Sequence, residues 1–252
     1  MERMVRLAVT ALVGFLPAGG LALGSVLGAP RSWLVASVSL ATVALIAGWP
    51  AWTRLPQPHT ARLTLFLTGV VAIGLAAFGP EGGAFVLVAI ALGFPAVFLR
   101  ELARPAPRED LVRSVTGTTC GVVAVAAMGL WVTAGVMEHF VDLAIEAGTG
   151  IAAACLGIGL GRLAPRWKGE IGAGLGLLLA VGAGAGVSFL VVTPWWAGAA
   201  VAAVCAVAPG GLGLIGESRS VLAARLSLSD AAVFTLPLAV ASVPVWAAAL
   251  MR

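Results

Sequence analysis

The chain has 252 residues, of which 60% are hydrophobic and 10% charged, with no Tyr and a single Lys, Lys168. So little polar surface cannot cover a soluble globule, which excludes water as the solvent for most of the chain and implies a bilayer. The net charge of +4 comes from basic residues scattered singly between apolar runs, without a basic stripe interleaved with aromatics, and this excludes a nucleic-acid partner.

Roughly 20 apolar residues are needed to cross the hydrocarbon core. Cutting the chain at its charges and at its Pro and Gly clusters then gives nine spans: 7–28, 33–52, 63–79, 84–99, 114–136, 141–161, 171–192, 195–215 and 230–250. The fold class expected is therefore all-α, a polytopic integral membrane protein of about nine transmembrane helices. The first span follows "MERMVR" and ends in small residues, which imitates a signal peptide; the eight spans after it favour uncleaved insertion. The third and fourth spans are short, and "GPEGG", Gly79 to Gly83, reads either as a loop or as a re-entrant tip.

Alternate loops test this cut, because cytoplasmic loops hold the Lys and Arg. Arg3, Arg6, Arg54, Arg62, Arg100, Arg104, Arg108, Arg113, Arg162, Arg166, Lys168, Arg219 and Arg225 fall on one side, and only Arg31 and Arg252 on the other. The N-terminus is accordingly expected in the cytoplasm and the C-terminus outside, in a multi-pass protein of the cell membrane, a bacterial inner membrane. Trp33, Trp49, Trp52, Trp195, Trp196 and Trp246 sit at span ends, where amphipathic rings anchor at the headgroups. No repeat and no linker divides the chain, so 1–252 reads as one membrane domain, with four spans of unassigned role in 1–113.

Cys120, Cys155 and Cys205 are odd in number and lie inside apolar runs. They offer neither a disulfide framework nor zinc spacing and read as small packing residues. "RELARPAPREDLVRSV", Arg100 to Val115, reads as a solvated cytoplasmic loop touching anionic headgroups, with the acids of "PREDLVR" suited to a helix first turn. Glu138, Asp142 and Glu146 recur every four residues and stack on one helix face; Glu146, about a turn inside the bilayer, is the intramembrane acid that a proton or cation path would use. Glycines in "GIGLG" (157–161), "GAGLG" (172–176) and "GAGAG" (182–186) recur at i and i+4 and favour close helix packing. "GLGLIG", Gly211 to Gly216, matches a dinucleotide-binding pattern but ends a membrane span, where the strand and helix such a site requires are missing. No Ser/His/Asp, Cys/His or HExxH constellation is present.

Three stretches in 110–250 together resemble the phosphatidate cytidylyltransferases, membrane enzymes that make CDP-diacylglycerol from CTP and phosphatidic acid. They are "GTGIAAACLGIGLGRLAPR" (Gly148 to Arg166), "LGLIGES" (Leu212 to Ser218) and "LSLSDAAVFTLPL" (Leu226 to Leu238). In the first, Thr149, Gly150, Gly159, Leu163 and Pro165 fall in step with the family pattern. In the second, Leu212, Gly213, Glu217 and Ser218 do so, and in the third Leu226, Asp230, Phe234 and Pro237. The resemblance makes 114–252 the cytidylyltransferase-like half of the domain.

Nucleotidyl transfer needs carboxylates to hold Mg²⁺ against the triphosphate and cations to neutralise the transferring group. Where the family carries Asp, Asp and Asp-Arg, this chain has Gly148, Leu214 and Ser227-Leu228. The remnant catalytic candidates that the resemblance leaves are Glu217, Asp230, Glu170 and Lys168, with no metal assigned. What it implies is a non-catalytic, lipid- or partner-binding membrane protein without a cofactor. Arg162, Arg166, Lys168, Arg219 and Arg225 would meet membrane-lipid headgroups, and another membrane protein is a possible partner. Two alternatives stay open: an active cytidylyltransferase with a reduced, Mg²⁺-dependent site, and a small permease or transporter subunit using Glu146.

Overall fold

The computed structural model describes residues 31–78, 84–105 and 110–135, together with individual helical residues within 142–151, 178–186 and 235–245. Four long helices stand out: α1 (Arg31–Trp52), α2 (Pro58–Phe78), α3 (Ala84–Leu102) and α4 (Leu111–Ala134). No strand occurs among the described residues. All four helices, 19 to 24 residues long, are long and apolar enough to cross a membrane; at 1.5 Å per residue they measure about 28–36 Å, the thickness of a hydrocarbon core. The chain is thus an all-helical membrane protein in its described part. The four helices are the second to fifth expected spans. The first span and most of the last four, and with them the nine-span count and both termini, lie outside the described residues.

Helix ends differ from the expected cuts for a physical reason: a charge in a terminal turn need not end the helix. α2 begins at Pro58 and takes in Arg62. Proline suits a first helical position, where its missing N–H would have had no partner. α3 continues through Arg100 and Glu101 to Leu102. The third and fourth spans are therefore full length and not short. α1 closes where Arg54 turns left-handed at φ 54° and Leu55 N donates to Pro50 O at 2.9 Å, the six-to-one closure that commonly stops a helix. At the start of α4, Asp110 adopts φ 55° and makes no side-chain cap bond, and the first turn holds no acid. Asp110 turns the chain into the helix without joining its first turn, contrary to expectation; Glu109 lies outside the described residues.

α4 sits against all three other helices, and α2 lies between α1 and α3 as well. Trp49 Nε1 donates to Gly117 O at 2.8 Å and Arg113 Nη2 to Thr53 O at 3.3 Å, joining the end of α1 to the start of α4. Arg31 Nη2 donates to Ala76 O at 3.1 Å, joining the start of α1 to the end of α2. Consecutive helices therefore run antiparallel. One end of the unit gathers Arg54, Arg62, Arg100, Arg104 and Arg113, and Arg31 lies at the other, which is the grouping the alternate loops gave for these residues.

Close approach along α4 depends on small residues. A Cβ at Gly121 would stand 2.6 Å from Trp49 Nε1 and 2.9 Å from a Leu65 methyl, and one at Gly129 would stand 3.1 Å from the backbone oxygen of Ala72. The core runs through Leu45, Leu65, Val122, Met128 and Trp131 and on to Ile151, Leu238 and Val245. Trp131 is fully buried and its Nε1 donates to Leu238 O at 2.8 Å. Trp49 is likewise buried and does not anchor at a headgroup, because its N–H finds the carbonyl that Gly117 leaves accessible; Trp33 is exposed as a belt residue would be. Cys120 faces outward and is not a packing residue in the core, since the inner side of α4 at that level is taken by Gly121 and Val122. Outward-facing Leu40, Phe66, Val70, Leu87, Leu92 and Phe98 present the apolar surface that lipid would cover.

Candidate functional site

Polar side chains converge where α3 ends and α4 begins. Ser114 and Thr118 are four residues apart and share one face of α4, and the last turn of α3 lies across that face. Arg100 Nη1 donates to Thr118 Oγ1 at 3.2 Å and Arg100 Nη2 to Ser114 Oγ at 2.7 Å. Ser114 Oγ donates in turn to Glu101 Oε1 at 2.5 Å, and Arg100 also pairs with Glu101 directly. Arg104 Nη1 stands 3.6 Å from the other carboxylate oxygen. The Glu101 and Arg100 side chains are 4% and 11% exposed, so the pair is held by hydroxyls and not by bulk water. The expectation that Arg100–Val115 is a solvated loop is corrected here. Arg100, Glu101 and Ser114 belong to helices and are shielded, because the antiparallel packing that seats Gly93 against Val122 carries the last turn of α3 over the first turns of α4.

Chemically, this cluster is a clasp. Ser114 and Thr118 are fully buried, so neither hydroxyl is reachable as a nucleophile, and both are already engaged with the ion pair. No group of three or more His, Cys, Asp or Glu able to hold a metal occurs among the described residues. Arg100 Nε, Glu101 Oε2 and, on α2, Arg62 Nε are shielded from solvent without a hydrogen-bond partner among the described residues.

The site residues expected from sequence fall elsewhere. Glu146, Arg162, Arg166, Lys168, Glu170, Glu217, Arg219, Arg225 and Asp230 all lie outside the described residues, as do Gly148, Leu214 and Ser227. Of the stack Glu138, Asp142 and Glu146, only Asp142 is described, helical and half-buried. Sequence reasoning missed the clasp, whose signal was Ser114 and Thr118 at i, i+4 opening a span directly after a charged span end. It also missed Gly117 and Gly121, a small-residue pair of the kind it had noted only further along the chain. Comparison of the chain with family models, with curated proteins and with solved structures gives no match.

Proposed function

We propose that this chain is a multi-pass protein of a bacterial inner membrane whose cytoplasmic face binds anionic lipid headgroups, on a scaffold that resembles the phosphatidate cytidylyltransferases but has lost nucleotidyl transfer. The observation that carries the reading is the gathering of Arg54, Arg62, Arg100, Arg104 and Arg113 at one end of the four described helices, opposite Arg31. Cationic side chains at one membrane face accord with a cytoplasmic orientation and with anionic lipid, each near-surface cation contributing about 1 kcal/mol. The N-terminus then lies in the cytoplasm and the C-terminus outside. The loss of charge at Gly148, Leu214 and Ser227 supports the non-catalytic half of the proposal, because a triphosphate needs its metal ligands and cations together.

Purified protein in lipid nanodiscs tests both halves. A site that still held Mg²⁺-CTP at 100 times its dissociation constant would gain about 2.7 kcal/mol of stability. The expected result is no melting shift with Mg²⁺-CTP, no CDP-diacylglycerol formed, and retention of anionic over zwitterionic phospholipid. A Mg²⁺-dependent shift that disappears in Asp230→Asn would restore the enzyme reading.

A further inference from the structure

The five arginines gathered at one end of the helices are not equally available. Arg100 is held by Thr118, Ser114 and Glu101. Arg104 stands against the same carboxylate with 10% of its side chain exposed, and Arg62 is half-buried with its Nε shielded. Arg54 and Arg113 are exposed, and the fold brings them to one corner. Arg113 Nη2 donates to Thr53 O at 3.3 Å. That oxygen belongs to the peptide group that also carries the Arg54 nitrogen, so the Arg113 guanidinium lies within about 6 Å of the Arg54 backbone. The bond to Thr53 uses one guanidinium donor of several. The corner is fixed from beneath, where Trp49 Nε1 donates to Gly117 O at 2.8 Å and Leu55 takes the space that a Cβ on Gly117 would need. Asp110, one turn ahead of Arg113, is exposed. Arg108 and Glu109 before it cancel in charge, so Arg54 and Arg113 against Asp110 leave the corner positive.

We propose that the corner between the end of α1 and the start of α4 is the headgroup-contacting surface of the four-helix unit, where Arg54 and Arg113 meet anionic phospholipid. Arg100 and Arg104 are already occupied by Glu101 and take no part. Arg54 closes α1 in the left-handed region, at φ 54°, a position that glycine ordinarily fills because a Cβ is strained there. The fold alone favours glycine at 54, and an exposed cation kept at such a position points to a use outside the four helices. Leu111 and Val112, directly before Arg113, are 41% and 77% exposed. Exposed aliphatic side chains beside a cation suit the boundary where headgroups meet acyl chains, and not an acidic partner in water. The proposal rests on the headgroup-binding reading above and narrows the arginines named there to two. It also gives that reading a location separate in sequence from Arg162, Arg166 and Lys168.

Native mass spectrometry of the full chain, released from mixed nanodiscs of phosphatidylglycerol and phosphatidylcholine, tests it. Wild type should retain phosphatidylglycerol preferentially. Arg54→Gly separates lipid binding from folding, because glycine relieves the left-handed residue while removing its charge. The preference should fall about fivefold, as removal of one near-surface cation does, and the melting temperature in pure phosphatidylcholine should hold or rise. Adding Arg113→Gln should bring the loss to at least about tenfold. A melting temperature lowered by Arg54→Gly in phosphatidylcholine would show that the arginine holds the fold and would overturn the assignment. Undiminished preference in the double variant overturns this surface; its loss in the triple variant Arg162→Gln, Arg166→Gln, Lys168→Gln would then leave headgroup binding itself intact. No preference for phosphatidylglycerol in wild type overturns both. An Arg54-dependent stabilisation by inorganic phosphate in lipid-free detergent, equal to that by phosphatidylglycerol, overturns the lipid in favour of a free anion.

Discussion

α3 and α4, 19 and 24 residues long, are both long and apolar enough to cross a membrane, yet 61% of the membrane-crossing window of α4 is buried within the protein against 28% of that of α3. Hydropathy places both in a bilayer and says nothing about which is enclosed. What separates them is the size of their side chains. α4 carries Gly117, Gly121, Ala126, Ala127, Gly129 and Ala134, which let neighbouring backbones and a tryptophan come close, whereas α3 carries Leu87, Leu92, Phe98 and Leu99 outward. In lipid the tails are as apolar as leucine, so helix association follows packing and hydrogen bonding and not the avoidance of water.

Three substitutions bear on that contrast. Trp131→Ala on α4 removes a fully buried ring and its hydrogen bond to Leu238 and should cost about 3–5 kcal/mol, read as a lower midpoint in reversible detergent unfolding; a loss below 1 kcal/mol would mean that α4 is not the enclosed helix. Gly121→Ala puts a methyl against the Trp49 indole and Leu65 and should cost about 1–3 kcal/mol, with near-ultraviolet circular dichroism reporting the displaced Trp49. Leu92→Ala on α3, at a residue 59% exposed, should change stability by no more than about 0.5 kcal/mol. A cost for Leu92→Ala comparable with that for Gly121→Ala would show that α3 is covered by protein and would erase the distinction.

The four helices were legible in the sequence as apolar runs, because the 20-residue requirement is set by the bilayer alone. Their ends were not, since cutting at every charge treated Arg62, Arg100 and Glu101 as loop residues. A guanidinium or carboxylate within the last turn can stay helical when a neighbouring helix supplies hydroxyls, as Ser114 and Thr118 do for Arg100 and Glu101. That partnership joins residues 13 to 18 positions apart, a separation no helical period reveals. The same reasoning misplaced Trp49: a ring at a span end can anchor in a headgroup layer or turn inward, and only the carbonyl at Gly117, 68 positions away, decides it. The candidate carboxylates Glu170, Glu217 and Asp230 rest on the family resemblance and are untouched by the geometry of the four helices.

The bond from Trp131 to the carbonyl of Leu238 spans 107 positions of chain. At ribosomal speeds of about 5–20 residues per second, Trp131 is made roughly 5–20 s before its acceptor exists. During that interval the indole N–H of a half-synthesised chain sits among apolar neighbours without its final partner. A segment made long after α4 therefore supplies the acceptor for the buried indole of α4. Premature termination anywhere before residue 238 would leave a species whose most enclosed helix is open on one side, a natural substrate for membrane quality-control proteases.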